Sequence, residues 1–200
     1  DTPADFLAYM GPTTWGSASP KPTEELAKMS PEELVAFLKD WKPKGEWRSP
    51  TPGGLGAALG ALVEANPDKY AQEVERFMDA HMDPTYIRHV LGGFCRAVEK
   101  DKILPYPLVF NLCQWVVRQP ITIQGRNVPK GLRKDFEIDV DWHPTRREIT
   151  RLVEKVFDDK MLLPFELREV AWSIIEPLTR DPEPDLDYEQ KYGGTNSDPF

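Results

Sequence analysis

The stretch TPGGLGAALGALVEANP, residues 51–67, decides the fold of this chain, because it contains both a helix and the marks that bound helices. Leucines recur through it at helical spacing, and a proline follows a capping side chain at each end, in Thr51-Pro52 and Asn66-Pro67. Proline has no N–H to lose at the first helical position, and a preceding Thr or Asn accepts an orphan backbone amide. The stretch therefore predicts a helix from Pro52 to about Ala65 and a second helix that starts at once.

The same pair, a capping residue followed by proline, recurs along the chain, and each occurrence predicts the start of a helix. It stands at Ser30-Pro31, Asp83-Pro84, His143-Pro144 and Leu163-Pro164, and an amphipathic run follows each one. A further helix begins near Pro107, and the last two helices carry Phe157 and Phe165 in their apolar stripes. We therefore expect an all-α fold of about seven helices, interrupted by one short strand or extended insertion.

The spacing of the helix pairs indicates an array. Pairs begin at Pro52, Pro84 and Pro144, in steps of 32 and 60 residues, and removing a 24-residue insertion at 119–142 reduces the second step to 36. Two helices in about 33 to 47 residues are typical of helical-repeat proteins. We expect an irregular HEAT-like α-solenoid or, alternatively, a helical bundle. The predicted organisation is an irregular segment at 1–29, a helical-repeat domain at 30–180 and an extended acidic tail at 181–200.

The insertion at 119–142 interrupts the regular spacing of the helix pairs. Its first part is basic, and in its second part Phe136, Ile138, Val140 and Trp142 alternate with Glu137, Asp139 and Asp141. Alternation with period two predicts a short strand or an extended arm. The basic residues either pair with acids of the same arm or contact a partner. Together with Trp47 in a polar loop, they are the candidate partner-binding residues: Arg126, Lys130, Arg133 and Lys134.

Charge and composition narrow the class of partner. The 200 residues carry a formal net charge of −8, and nucleic-acid binding needs a concentrated basic field that only the insertion offers. We expect a protein partner, or other domains of the same parent chain, rather than nucleic acid. No apolar run approaches the ~20 residues of a membrane span, and the first residues lack a signal-peptide pattern. The expectation is a cytoplasmic segment cut from a longer polypeptide.

Motifs for catalysis and for cofactors are missing. Gly53, Gly54 and Gly56 are not followed by the Lys and Ser/Thr of a phosphate-binding loop. Small side chains between Gly53 and Ala61 predict instead that a neighbouring helix approaches closely. Cys95 and Cys113 lie in apolar helical runs without metal-ligand spacing, which favours buried thiols. We expect no cofactor and no enzymatic activity in this segment.

Histidines and paired aspartates leave two alternatives open. His81 and His89 lie on either side of the helix start at Asp83, so they share no helical face, and a structural role is expected for both. Asp139 and Asp141 are typical of the solvated face of a strand, and equally of paired carboxylates. One alternative is therefore a metal-dependent enzyme that uses these aspartates and a histidine. The other is a nucleic-acid-binding module that uses the basic insertion.

Three phrases of the chain carry a resemblance to known proteins. They are Ser30-Pro-Glu-Glu-Leu with Trp41-Lys-Pro, then NLCQWVVRQP at 111–120, and Glu176-Pro-Leu-Thr-Arg-Asp-Pro with YGGTNSDP at 192–199. These phrases resemble segments of large bacterial multidomain proteins with long helical-repeat regions, among them anti-phage STAND-type NTPases. Helical arrays in those proteins act as sensors for a phage protein. The resemblance implies a non-catalytic scaffold that mediates protein–protein or interdomain contacts, as the sensor region of a bacterial defence protein.

Overall fold

The computed structural model describes residues 18–44, 49–126, 138–157 and 163–181 of the chain. These residues form nine α-helices and one turn of 3-10 helix, Phe165–Leu167, and none of them lies in a β-strand. The α-helices are α1 (Thr23–Leu26), α2 (Pro31–Asp40), α3 (Pro52–Ala65), α4 (Pro67–Gln72), α5 (Val74–Phe77), α6 (Pro84–Glu99), α7 (Tyr106–Val117), α8 (His143–Phe157) and α9 (Arg168–Leu178). The all-α prediction is confirmed for this part of the chain.

Side-chain caps explain where α2, α3 and α6 begin. Ser30 accepts a hydrogen bond from the amide of Glu33, and the Glu33 carboxylate accepts one from the amide of Ser30, which forms a capping box. Thr51 caps α3 through the amide of Gly54, and Asp83 caps α6 through the amide of Thr85. Proline occupies the first position of all three helices. The cap-and-proline prediction is confirmed at these positions.

The helix count differs from the predicted seven for two reasons. The segment predicted to be irregular contains α1, whose Leu26 is fully buried against the core. The helix expected after Asn66 is broken at Glu73, which has φ −104° and ψ 7°, so that α4 and α5 form in place of one helix. Asn66 also makes no side-chain cap. Neither glycine nor proline stands at this break, so the sequence pattern gives no sign of it.

Helix contacts follow a regular order. Along one series, α1 packs on α3, α3 on α6 and α6 on α8; along the other, α2 packs on α5, α5 on α7 and α7 on α9. Every helix of the first series is separated in sequence from the next by a helix or helices of the second series. One hydrophobic cluster runs between them, with Leu59, Phe77, Phe94, Phe110 and Ile149 among its fully or almost fully buried members.

Glycines bring α3 and α6 into close contact. A Cβ atom on Gly56 would overlap the imidazole ring of His89, and one on Gly60 would lie 2.7 Å from the carbonyl oxygen of His89. On α6, a Cβ atom on Gly93 would lie 2.6 Å from the carbonyl oxygen of Gly60. The predicted close approach of a neighbouring helix is confirmed at Gly56 and Gly60. Exposed Ala57 and Ala61 take no part in it.

The end of the insertion contradicts the predicted alternation. Residues 138–142 form no strand, and their burial does not follow the alternation: Trp142 is buried as expected, but Asp139 is buried as well, whereas Val140 is 40% exposed. The cause is a set of contacts with α6, because the amide of Asp139 donates to Thr85 Oγ1 and its carboxylate accepts from Arg88. Phe136 and Glu137 lie outside the described residues, as does most of the predicted acidic tail.

The two cysteines lie inside the core. Cys95 and Cys113 are free and buried, as expected. Burial raises the thiol pKa of Cys95 to about 11 and that of Cys113 to about 12, so both remain protonated near neutral pH. None of the helices in the described residues is both long and apolar enough to cross a bilayer.

Candidate functional site

A cleft of about 580 Å³ opens where the end of α2 meets the start of α6. Five separate parts of the chain line it: residues 38–43, Pro52, residues 80–86, and the two ends of the insertion. We call it the α2–α6 cleft. Its floor is apolar and consists of almost fully buried side chains, namely Leu38, Met82, Tyr86 and Trp142. Its rim is polar and includes Lys39, Lys42, His81, Gln119, Thr122, Gln124 and Arg126.

Ion pairs fix the insertion against the start of α6. Arg126 donates from Nη2 to the Asp83 carboxylate at 2.7 Å and from Nε to the backbone carbonyl of Asp139 at 2.7 Å. The Asp139 carboxylate in turn accepts from Arg88 Nε at 2.8 Å, and its amide donates to Thr85 Oγ1 at 2.8 Å. Both described ends of the insertion are therefore held at the start of α6, by its cap Asp83 and by Thr85 and Arg88.

Burial and charge act in opposite directions on the Asp139 carboxylate. Desolvation raises its pKa above the ordinary value, and the neighbouring Arg88 lowers it without fully compensating. The side chain of Asp139 is almost fully buried, and that of Arg88 is largely buried. A buried carboxylate paired in this way serves the packing of the insertion, and its Arg88-bound oxygen is not available as a metal ligand or general base.

The opposite wall of the cleft carries two lysines in different environments. Lys39 donates to Asp79 at 2.7 Å, and this hydrogen bond lowers the pKa of the Asp79 carboxyl group. Lys42 Nζ donates only to the backbone carbonyl of Lys39, at 3.0 Å, and has no carboxylate partner in the described part of the chain. Lys42 is therefore a cation that is held at the rim with hydrogen-bonding capacity to spare.

Of the five predicted partner-binding residues, the structure describes one. Arg126 lies in the α2–α6 cleft and pairs with Asp83 and with the Asp139 carbonyl. Pairing within the chain, one of the two predicted roles for this residue, is thus observed, although the carboxylate belongs to the cap of α6. Trp47, Lys130, Arg133 and Lys134 lie outside the described residues.

Histidines and aspartates do not converge in the described chain. His89 lies between α3 and α6, where burial and then the nearby Arg88 and Arg96 lower its pKa to about 3. His143 Nδ1 lies 3.3 Å from the Asp141 carboxylate. The same carboxylate accepts a hydrogen bond from the backbone amide of His143 at the start of α8. Asp141 therefore performs the capping role that the sequence suggested for His143. Within the four described ranges, no group of three or more His, Cys, Asp or Glu residues is placed to hold a metal ion.

A second surface lies on the last two helices. Three of the large hydrophobic side chains that are exposed in the described chain belong to this region: Phe157, Phe165 and Trp172, at 44%, 74% and 61%. Helical periodicity places Phe157 on the side of α8 turned away from α6, since Glu148 and Arg151 face α6. On α9, Ala171 and Ile174 are buried, whereas Arg168 and Trp172 are exposed. We call the exposed side chains of these last two helices and of the 3-10 turn between them, namely Phe157, Phe165, Arg168 and Trp172, the end face.

Exposure on this surface differs from what the sequence pattern predicts. The sequence pattern predicts that Phe157 and Phe165 lie in apolar stripes that face the core. The structure exposes both, and the Arg168 guanidinium lies over the Phe165 ring, 4.9 Å from its centroid. Lys39 and Lys42 were missed altogether, because the cleft joins segments that are far apart in sequence and no local pattern marks it.

Comparison of the chain with protein-family models, with curated protein sequences and with solved structures gave no match.

Proposed function

We propose that this segment is a helical-repeat scaffold of the α-solenoid type, without catalytic function, that binds another protein or another domain of its own parent chain. The order of helix contacts supports the solenoid. Each helix pair packs on the pair before it, α3 on α6 and α6 on α8, with α5, α7 and α9 forming the companion series. In a solenoid each unit contacts only its neighbours, which gives this order and leaves the outer faces open for recognition.

The end face is the observation that carries a binding role. Terminal units of helical arrays that face water have polar outer surfaces. Here the last described pair exposes Phe157, Phe165 and Trp172 instead. Complete burial of a phenylalanine is worth about 1.5–3 kcal/mol, and tryptophan and arginine are the residues that most often dominate binding energy at interfaces. A protein surface that covers this face would therefore gain several kcal/mol from three aromatic side chains.

The biological setting that we propose rests on resemblance. Phrases in α2, α7 and α9 resemble helical arrays of anti-phage STAND-type NTPases. In that setting the segment is part of the sensor of a bacterial defence protein, and its partner is either the recognised protein or an adjoining domain. The alternatives draw no comparable support, since Asp139 is paired with Arg88 and Arg126 with Asp83.

Site-specific photo-crosslinking in cells that express the parent polypeptide tests the binding role. A photoreactive phenylalanine analogue replaces Trp172 on the end face, and in a matched control it replaces Gln72, an exposed residue on α4. We expect a discrete adduct from position 172, either within the parent chain or with one partner protein, and none from position 72. Mass spectrometry of the adduct identifies the contacted element.

A second variant keeps the test specific. Phe165→Ser next to the photoreactive group removes a neighbouring aromatic contact and should reduce the yield of the adduct. If position 172 gives no adduct beyond that of position 72, or if the adduct is insensitive to Phe165→Ser, the end face is not a contact surface and the proposal fails.

A further inference from the structure

We propose that the α2–α6 cleft binds a short acidic peptide segment of a partner protein, with an apolar side chain on the floor and a carboxylate at Lys42. This inference rests on the proposed function in one respect, that the ligand belongs to a protein. It uses none of the residues of the end face.

Size and lining suit a peptide. A volume of about 580 Å³ falls within the range of roughly 300–1,000 Å³ that is usual for ligand-binding pockets. The side chains of Leu38, Met82 and Trp142 are almost fully buried, but half-buried Trp41, Pro43 and Ile123 also line the cleft and offer apolar surface that a hydrophobic side chain would cover. An inorganic anion would bind at the rim and leave this apolar surface in water, so a ligand with both an apolar and an acidic group fits better.

Charge selects an acidic ligand. Three cationic side chains, Lys39, Lys42 and Arg126, line the cleft against the single carboxylate of Asp83, in a chain whose net charge is −8. Lys39 and Arg126 are already paired with Asp79 and Asp83. Lys42 has no such partner among the described residues, so a ligand carboxylate would complete its hydrogen bonds. Complementary charge of this kind fixes register and accelerates association.

Side chains of the insertion offer hydrogen bonds for a peptide backbone. Thr122 and Gln124 are exposed on the rim, and neither side chain has a hydrogen-bond partner in the part of the chain that the structure describes. A glutamine amide both donates and accepts, which matches the alternating N–H and C=O groups of an extended peptide. These residues give the ligand backbone partners while the floor takes its side chain.

Hydrogen bonds join the walls of the cleft in the absence of a ligand. Arg126 joins the first part of the insertion to α6 through its cap residue, Asp83. The end of the insertion is held by Thr85, which accepts a hydrogen bond from the amide of Asp139. A preformed site does not pay the entropy of ordering its own walls on binding. Arg126 is thus a positioning residue that maintains the shape of the rim, and Lys42 is the residue that contacts the ligand.

A phage-displayed library of random dodecapeptides, panned against the full 200-residue chain, tests the inference. We expect enriched peptides to carry net negative charge and at least one aromatic or aliphatic residue. Synthetic copies labelled with fluorescein should bind in anisotropy titrations, more weakly as salt is added. Lys42→Glu should weaken binding about tenfold or more, Lys42→Gln should weaken it less, and Lys28→Glu, the same change at an exposed lysine outside the cleft, should leave it unchanged.

Several outcomes would overturn the inference: no enrichment over the Lys42→Glu protein, enrichment of neutral or basic peptides, or equal affinity for wild type and Lys42→Glu. Circular dichroism of the Lys42 variants confirms that each is folded. Peptide affinity should also be unchanged by Trp172→Glu. Retained peptide binding with no crosslink from position 172 would reject the end face alone, whereas a crosslink without peptide binding would reject only the cleft.

Discussion

Arg146 donates hydrogen bonds to both carboxylate oxygens of Asp181, at 2.8 and 2.7 Å, across 35 residues of sequence. Its remaining donors reach the backbone carbonyls of Val117 at 3.0 Å and Pro177 at 3.4 Å. The two side chains are only 5% and 11% exposed. One buried guanidinium therefore ties the end of α7, the start of α8 and the end of α9 together.

Replacing Arg146 by methionine should lower the free energy of unfolding by about 3–5 kcal/mol, because it leaves the carboxylate of Asp181 buried without its partner. Urea denaturation followed by circular dichroism measures the change. The control is Arg180→Met, which breaks an exposed pair with Glu176 and should cost no more than about 1 kcal/mol. Equal losses of unfolding free energy in the two variants would show that burial does not increase the contribution of the Arg146–Asp181 pair to stability.

Acid should destabilise the fold through His89. Its pKa is about 3 in the folded chain and about 6.5 in the unfolded chain, so below pH 6.5 the unfolded state binds a proton that the folded state does not. The stability contributed by the neutral imidazole is therefore present above pH 6.5 and is lost as the pH falls towards 3. The loss from this group approaches about 1.4 kcal/mol per pH unit.

Comparison with His89→Gln isolates this contribution. The unfolding free energy of the variant, measured in urea at several pH values, should fall less steeply between pH 6 and pH 4 than that of the wild type. Carboxylates contribute to both curves and cancel in the difference. Parallel curves would contradict a neutral, buried His89.

Gly60→Ala should destabilise the protein, although alanine is the better helix former by about 1 kcal/mol. The added Cβ atom would lie 2.7 Å from the carbonyl oxygen of His89, which is backbone and cannot rotate away. Forced separation of packed elements typically costs about 1–3 kcal/mol. Thermal unfolding should show a lower Tm for this variant, whereas Ala61→Ser, at the next and exposed position of α3, should change it little. A rise in Tm for Gly60→Ala would refute the close contact.

Thr85→Val should loosen the insertion. The Thr85 hydroxyl accepts the amide of Asp139 in a buried position, and valine of similar size leaves that amide without a partner, at a cost of about 1–3 kcal/mol. Amide hydrogen exchange at Asp139 should accelerate more than exchange in α3. Thr150→Val, at an exposed threonine of α8, is the matched control and should leave both rates unchanged. Slow exchange at Asp139 in the Thr85 variant would mean that another contact holds the segment.

Local chemistry allowed much of the fold to be predicted. Ser30, Thr51 and Asp83 each cap a helix through a hydrogen bond to an amide two or three residues away, so the relevant interaction lies within the sequence window. The same holds for the glycines of α3, which signalled close packing without naming the neighbour.

Long-range contacts explain what could not be predicted. Alternation at 138–142 predicts two faces, but burial does not follow it, because Asp139 is buried through contacts with Arg88 and Thr85, more than 50 residues earlier. The cleft has the same character, since its floor joins Leu38 of α2 to Trp142 at the end of the insertion. Exposure of Phe165 likewise depends on which elements pack beside it, and the apolar pattern of the sequence around it does not show this.

The glycine contact between α3 and α6 has a mechanical consequence. At Gly60 and Gly93 the nearest atom of the neighbouring helix is a backbone carbonyl oxygen, which cannot change rotamer to let the helices slide. If a partner exerts force on the scaffold, we expect the junction between α3 and α6 to deform least. Bending should occur instead at junctions where flexible side chains separate the helices. One such junction is that between α7 and α9, where Gln114 and Ser173 meet at the surface.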